Sequence, residues 1–244
     1  MKIINSVTTE NVVAYRERGL RASADATHPN ALLPVVPPNT RRMLDVGCHA
    51  GHVLETLRLP AHCEVFGCDV HAEALELARK CLPHATFSLA RAEELPYENS
   101  YFDFVFSRST MCLVDIPKAL WELNRVLKPG GSLWISLHRW NDIRVLLHDP
   151  FRNHPIKTTV FASYVAINSA LFHYTGRVAR FPLNPSKIMS FQTETRMRKE
   201  LQKAGFGKIR ISVNPFLVIE SEKLDPVVRL KERFGLKDSI RKTA

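Results

Sequence analysis

The sequence lacks any run of 18 consecutive apolar residues, and its first 19 residues lack the apolar stretch and cleavage site of a secretory signal. Its five cysteines include no C-x-x-C pair, and no repeat with a period of 20 to 50 residues is present. These absences argue against a membrane-spanning protein, a disulfide scaffold, a structural zinc site and a repeat array. We therefore expect a soluble, cytoplasmic protein whose cysteines are reduced thiols.

Length and composition are those of an ordinary globular protein, since 244 residues with 45% apolar and 24% charged residues suffice for one α/β core. The net charge of +10 is concentrated in two segments. Residues 138–190 carry seven Lys or Arg against two Asp, and residues 223–244 carry seven against three acids. Charge confined in this way indicates an acidic ligand, an anionic membrane surface or simply a solvated face.

The chain divides into a lead-in, one main domain and a tail. Residues 1–40 are predicted to form a helical lead-in, residues 41–222 the main domain, and residues 223–244 a basic tail. Within the main domain, short apolar stretches alternate with amphipathic helices, a spacing that requires parallel strands with long crossovers. The alternation is interrupted at 138–190. The strands are expected at 41–46, 64–70, 85–90, 102–107, 132–137, 208–213 and 216–221.

This pattern predicts an α/β fold: a Rossmann-like, seven-stranded, mostly parallel sheet with helices on both faces and a C-terminal antiparallel hairpin. In such a sheet the ligand binds beyond the carboxyl ends of the strands. Gly47 and Gly51 follow the first strand and would let the backbone turn tightly, and Asp69 ends the second strand, where a carboxylate can accept ribose hydroxyls. These residues alone are shared with every dinucleotide-binding fold, and a plain turn is the alternative.

Four longer motifs narrow this interpretation. They are MLDVGCHAG, VFGCDV, ARAEELPYENSYFDFVFS and ALWELNRVLKPGGSLWIS, which stand in this order at suitable spacings. The series resembles class I S-adenosylmethionine-dependent methyltransferases, in particular the group that includes the ubiquinone and menaquinone biosynthesis enzymes. The resemblance covers residues 43–137, and 191–222 more loosely. A dehydrogenase is disfavoured, because the third glycine of its loop is here His52.

The resemblance implies a site for S-adenosylmethionine, residue by residue. The methionine part would lie against Asp45, Gly47, Cys48, His49 and Gly51. Asp69 would hold the ribose, and Val70 the adenine ring. Ala92 and Glu93 would meet the adenine edge, while Ser107 and Arg108 would lie near the sulfonium and the acceptor.

The sequence departs from the family pattern at three places. His49 replaces the middle glycine, which is tolerable because His adopts positive φ more readily than most residues. Arg91 replaces an acid and cannot accept the adenine amino group, so either Glu93 takes that role or the contact is lost. Met111 and Cys112 replace a histidine pair that often supplies a base.

His138, directly after the fifth strand, is the candidate base, with a surface position as the alternative. His49 and His52 stand three residues apart, but no carboxylate or cysteine cluster accompanies them, so no metal is expected.

The 138–190 interruption stands where this class places a lid over the acceptor. Its segment VFASYVAINSALF is predicted to be a helix that covers a bound molecule or a partner, or simply packs on the domain. The nearby arginines fit an amphiphilic, anionic small molecule, methylated on O or C. The same charge is compatible with peripheral membrane contact, and the oligomeric state cannot be deduced. The alternatives are a degenerate fold acting as a cofactor-binding or partner subunit, and an RNA methyltransferase, which the near-neutral core disfavours.

Overall fold

A computed structural model describes residues 9–25, 31–57, 59–137, 155–213, 216–226 and 228. Seven strands form one sheet in the order β3-β2-β1-β4-β5-β7-β6. The first five in this order pair in parallel, and β7 is antiparallel to both of its neighbours, which confirms the predicted fold. The strands are β1 Arg42–Val46, β2 Glu64–Asp69, β3 Thr86–Leu89, β4 Phe102–Arg108, β5 Leu127–Leu137, β6 Phe206–Val213 and β7 Leu217–Lys223.

Helices cover both faces of the sheet because the strand side chains alternate. Leu44 and Val105 belong to one buried cluster, with residues of α4, α5 and α6. Met43 and Phe104 belong to a second cluster, with residues of α2 and α3. The helices are α1 Thr9–Ala24, α2 His52–Thr56, α3 Ala72–Cys81, α4 Ile116–Val126, α5 Pro155–Thr175 and α6 Glu194–Ala204, with a 3₁₀ turn at Met111–Leu113.

The fifth strand begins earlier than the sequence indicates. Helix α4 ends at Val126, and β5 begins directly at Leu127 instead of residue 132. Leu127 pairs with Phe102, and the register then shifts before the next pair. The glycine-containing segment at 128–131, expected only to stop the helix, therefore lies within β5, beside an irregularity in the parallel pairing of β4 and β5.

Helix α1 packs against α2 and α3. The Arg16 Nε donates to the carbonyl of Ala50 at 3.2 Å, and its guanidinium pairs with Glu55. A Cβ at Gly19 would lie 2.3 Å from Cδ2 of His52, so the two helices approach closely at this glycine. The lead-in helix is thus fixed against the glycine loop.

Helix α5 contains the predicted helical segment of the interruption and packs on the domain. Val165 and Phe172 are fully buried, which is the simpler of the two alternatives for this face. The Tyr164 hydroxyl donates to the carbonyl of Ala179 at 2.7 Å, and Asn168 Nδ2 donates to the carbonyl of Met189 at 2.9 Å. These bonds hold residues 177–192, which we call the strap, along the helix. In the part of the chain that the structure describes, no helix meets the length and apolarity needed to span a bilayer.

Candidate functional site

The winding of the sheet reverses between β1 and β4, and in open α/β sheets such a reversal is where ligands bind, beyond the carboxyl ends of the strands. Asp45 lies near the end of β1, Asp69 ends β2, and Ser107 and Arg108 end β4. Residues predicted from three separate motifs therefore stand at one edge of the sheet.

The glycine loop after β1 has the tight, positive-φ backbone that its glycines permit. Gly47, His49 and Gly51 have φ angles of +84°, +48° and +73°. His49 thus takes the left-handed conformation expected of it. The loop is tied to β2, because the amides of Gly47 and Cys48 both donate to the carbonyl of Cys68, at 2.8 and 3.1 Å.

Gly47 is also required by a neighbour that sequence reasoning did not identify. A Cβ built on Gly47 would lie 2.0 Å from Oγ1 of Thr110, in the loop after β4. That loop is itself strained, since Ser109 has a φ of +58°. The close approach at Gly47 is therefore made to Thr110, where we expected a ligand alone, and the two loops of the switch point interlock.

Asp69 is buried and already accepts three hydrogen bonds. The amide and Nδ1 of His71 lie 2.9 and 2.8 Å from Oδ1, and the His49 amide donates to Oδ2 at 2.8 Å. Burial opposes ionisation, but these bonds hold the pKa of Asp69 below its ordinary value. The same contact raises the pKa of His71. Oδ2 retains acceptor capacity for one further donor.

The predicted adenine-side residues differ in exposure. Val70 is 52% exposed, whereas Ala92 is buried. Glu93 Oε1 accepts the Asp115 amide at 3.1 Å and pairs with Arg91 at 3.0 Å. Glu93 therefore fastens its loop to the start of α4, and Arg91 neutralises it.

Ser107 and Cys48 face the interior. The Ser107 hydroxyl donates to the carbonyl of Val46 at 2.8 Å, which joins β1 to β4. Burial raises the pKa of the Cys48 thiol, with the Asp45 carboxyl adding to the effect. Both residues are buried beneath the site.

Asp45 and His52, which flank the glycine loop, form a polar cluster with Arg108. Burial raises the pKa of Asp45 to about 8, although the Arg108 charge opposes the shift. Burial, with Arg108 adding, lowers the pKa of His52 to about 3. The Arg108 Nη2 lies 2.8 Å from Nε2 of the neutral His52, which accepts the bond and therefore carries its proton on Nδ1.

Sequence reasoning missed the contribution of α1 to this site. The ring of Tyr15 lies 4.3 Å from the ring of His49 and 5.7 Å from that of His52. No sequence motif predicts this contact, because Tyr15 is about thirty residues away from the glycine loop along the chain. Tyr15 forms a lateral wall beside the glycine loop.

Several buried polar atoms at the site have no hydrogen-bond partner among the described residues. Such atoms are uncommon in folded proteins and call for water or a ligand. They belong to both the methionine side and the adenine side predicted from the sequence. They are Asp45 Oδ2, His49 Nδ1, His52 Nδ1 and Glu93 Oε2.

Three further predictions concern the candidate base, the cysteines and a metal site. His138 lies outside the described residues. The five cysteines are all free thiols in the structure. Within the described ranges, no three His, Cys, Asp or Glu side chains are grouped so that they could hold a metal ion.

The ionisation of Asp45 yields a testable pH dependence. The unfolded carboxyl ionises near 3.8 and the folded one near 8, so the folded state holds an extra proton between these values. Its contribution to stability is complete below the lower pKa and falls by up to about 1.4 kcal/mol per pH unit towards the higher one. Urea unfolding of wild type and Asp45→Asn at about pH 5 and about pH 7.5 should show a steeper fall for wild type. Parallel pH profiles would contradict the assignment.

Known proteins are similar to the part of the chain that contains these site residues. Residues 44–135 match the family described as Methyltransferase domain. An uncharacterized methyltransferase of Mycobacterium tuberculosis is 34% identical over 113 residues, covering 46% of this chain and 45% of that protein. The phthiotriol/phenolphthiotriol dimycocerosates methyltransferase of Mycobacterium leprae is 34% identical over 97 residues, covering 38% and 36%.

A solved structure shares the fold. The complex between the Haloferax volcanii Trm112 methyltransferase activator and the putative methyltransferase contains a chain that superposes with a TM-score of 0.58 at 17% identity, covering 91% of this chain and 100% of that one. The matched residues 44–135 reach from β1 to β5, so the similarity to the methyltransferase domain covers the parallel part of the sheet. The chain spans less than half the length of the curated relatives named above.

Proposed function

We propose that this protein transfers the methyl group of S-adenosylmethionine to the O or C atom of a small molecule. The observation that carries the proposal is the set of unpartnered buried polar atoms around the glycine loop, because they need a polar ligand at the place where the family binds its cofactor. The bound cofactor supplies an electrophilic methyl group on a sulfonium.

The residues present fit this cofactor. On the methionine side, Asp45 Oδ2 and the loop of Gly47, Cys48, His49 and Gly51 offer polar atoms and close backbone. Asp69 Oδ2 can accept a ribose hydroxyl beside the His49 amide. Val70 supplies an exposed apolar surface for the adenine ring, and Glu93 Oε2 can accept its amino group, with Ala92 beside it.

Catalysis would depend mainly on positioning. Transfer from a sulfonium is an in-line displacement, which is accelerated by holding the two reactants in line. A base is needed only when the acceptor must lose a proton. His138 remains our proposed base, while Ser107 supports the β4 end by its bond to Val46.

The acceptor side is assigned to the 138–190 segment, as a lid. Exposed apolar side chains of its described part, Ile167 and Tyr174, are 70% and 79% exposed, and exposed Arg177 and Arg180 follow them. An apolar surface beside cationic groups suits an amphiphilic, anionic acceptor. The lead-in at 1–40 would contribute its helix to the cofactor side, and the tail at 223–244 a further basic surface.

The double substitution Arg177→Gln and Arg180→Gln should weaken acceptor binding and leave cofactor affinity unchanged. Each exposed charge is worth about 0.2–1 kcal/mol, so the loss should be severalfold and should shrink in high salt. Titration calorimetry at two salt concentrations measures both effects. Lys80→Gln on α3 is the matched control and should bind the acceptor like wild type. An equal loss of cofactor affinity would contradict a separate acceptor side.

The function itself is tested by calorimetry with S-adenosylhomocysteine, followed by a methyl-transfer screen with quinol, phenolic, glycolipid and RNA acceptors. Failure to bind S-adenosylhomocysteine would overturn the proposal. Binding without transfer would favour a partner or regulatory subunit. That alternative also fits the three hydrogen bonds that Asp69 already accepts and the ion pair between Arg91 and Glu93. Transfer to structured RNA alone, lost on removing residues 223–244, would favour an RNA methyltransferase.

A further inference from the structure

Helix α5 carries an exposed apolar stripe on the side that faces away from the domain. Val160, Ile167 and Tyr174 stand seven residues apart, so they lie on one face of the helix and extend over about 21 Å of its length. All three are exposed, whereas Val165 and Phe172 on the opposite face are fully buried. The helix is therefore apolar on both sides, and one of these sides is open to solvent.

The strap enlarges this apolar surface, because Leu183 within it is 78% exposed. The ring of Phe181 lies 4.9 Å from that of Tyr164, so this part of the strap packs against α5. Arg180 Nη1 donates to the carbonyl of Pro185 at 2.8 Å, which closes the turn around the leucine. Leu183 is thus held at a fixed place beside the stripe, and we call Leu183 and the stripe together the outer face.

The charge around the outer face is of one sign. Residues 155–193 contain four Lys or Arg and no Asp or Glu. Arg177 and Arg180 are both exposed and stand in the chain between Tyr174 and Leu183. The Arg177 amide donates to Oγ1 of Thr175 at 3.1 Å, which orders the turn after the helix. An apolar surface with cations beside it is complementary to a partner that is apolar beneath an anionic layer.

A bilayer that contains anionic lipids has this construction. A second copy of the chain is less complementary, because in a two-fold dimer the outer face would meet itself and bring two sets of arginines together without an acid from either segment. A single small molecule would cover only part of a stripe of this length. Tyr174, at the end of the stripe next to Arg177, is of the residue type that is enriched at membrane interfaces.

We propose that the outer face docks this protein on the surface of an anionic lipid bilayer. Val160, Ile167 and Leu183 enter the boundary between headgroups and acyl chains, and Arg177 and Arg180 contact the lipid phosphates. The inference goes beyond the proposed function and does not depend on it, because docking requires neither cofactor nor acceptor.

Vesicle sedimentation with the full chain and without cofactor tests the docking. The vesicles are phosphatidylcholine alone and an equimolar mixture of phosphatidylcholine and phosphatidylglycerol. The proteins are wild type, Ile167→Glu, Leu183→Glu, Arg177→Gln and the control Val35→Glu. Val35 is 89% exposed in the lead-in, so its substitution makes the same charge change away from the outer face. Thermal unfolding confirms that each variant is folded.

Wild type and Val35→Glu should bind the mixed vesicles alike, and more tightly than the neutral ones. Arg177→Gln should weaken binding to the mixed vesicles by about fivefold, as expected for one cation at an anionic surface. Ile167→Glu and Leu183→Glu should each weaken it by about tenfold or more, because apolar burial is lost and an anion is added. High salt should weaken the binding of wild type.

Quenching by lipids with brominated acyl chains locates the contact. The added fluorescence of Ile167→Trp should be quenched on the mixed vesicles, and that of Val35→Trp should not. Equal binding by Ile167→Glu and Val35→Glu would overturn the inference, as would a wild type that does not bind the mixed vesicles. If the glutamate variants fail to fold, equal quenching of the two tryptophan variants contradicts the docking. A dimer of free wild type that Ile167→Glu dissociates, seen by sedimentation velocity, would assign the outer face to a second copy instead.

Discussion

Gly47→Val should lose measurable cofactor binding and several kcal/mol of folding stability. Two separate effects act at this position. The φ of +84° is costly for a branched side chain, by about 1–3 kcal/mol, and the added atoms would overlap Thr110, whose Oγ1 lies 2.0 Å from an ideal Cβ. The sequence alone predicts a loss of binding with an intact fold. The contact with Thr110 indicates that stability falls as well.

Smaller substitutions separate the two effects. Gly47→Ala should be destabilised both by its φ and by Thr110, and adding Thr110→Ala should recover the overlap part. Gly130→Ala is the matched control, because Gly130 has a φ of +76° but nothing within 4 Å of its Cβ position. Urea unfolding should therefore rank Gly130→Ala as the milder variant. Equal losses in the two single variants would show that the Thr110 contact has no energetic importance.

Asp69→Ala should weaken S-adenosylhomocysteine binding by about 1.5–3 kcal/mol for the lost ribose contact. A further loss is expected because Oδ2 also holds the His49 amide, which fixes the glycine loop. Asp69→Asn preserves the shape of the side chain and should lie between wild type and Asp69→Ala. Calorimetry measures the affinities.

The control is Asp103→Ala. The Asp103 carboxylate accepts the Arg41 and Arg42 amides at 3.0 and 2.9 Å at the opposite edge of the sheet. This variant should lose stability without losing cofactor affinity. If Asp69→Ala and wild type bind alike, the ribose assignment is wrong.

The sheet could be predicted from sequence because each of its strands carries a local signal. Buried parallel strands are short apolar runs, and the intervening helices have a separate period, so the alternation determines the fold class. Strands β2, β1 and β4 are neighbours in the sheet, so the loops that follow them are neighbours too. For this reason Asp45, Asp69 and Ser107 could be assigned to one edge of the sheet from the sequence. The extra residues in β5 were missed because glycine and proline usually mark turns.

The neighbours of the predicted site residues could not be deduced in the same way. The contact between Gly47 and Thr110 depends on how two loops pack, and nothing in either motif specifies it. The same holds for Tyr15, which reaches the loop only through the docking of α1 at Gly19. His71 engages Asp69 from two residues away, but its rotamer is set by the surrounding structure.

The helix in the interruption was predicted correctly, whereas its hydrogen bonds to the strap could not be predicted. The apolar segment is buried at Val165 and Phe172, and polar residues within it, Tyr164 and Asn168, hold the strap. In the sequence alone, these two polar side chains interrupt an otherwise largely apolar segment. In the fold, each is satisfied by backbone groups of the strap.

The strap is also joined to the β4 loop, because the amide of buried Ser190 donates to the carbonyl of Cys112 at 2.9 Å. That carbonyl lies two residues beyond Thr110, which contacts the glycine loop. Exchange of the Ser190 amide proton with deuterium requires this bond to open, so its rate reports separation of the strap from the β4 loop. A single isotope-labelled position can therefore register ligands bound on either side of the switch point.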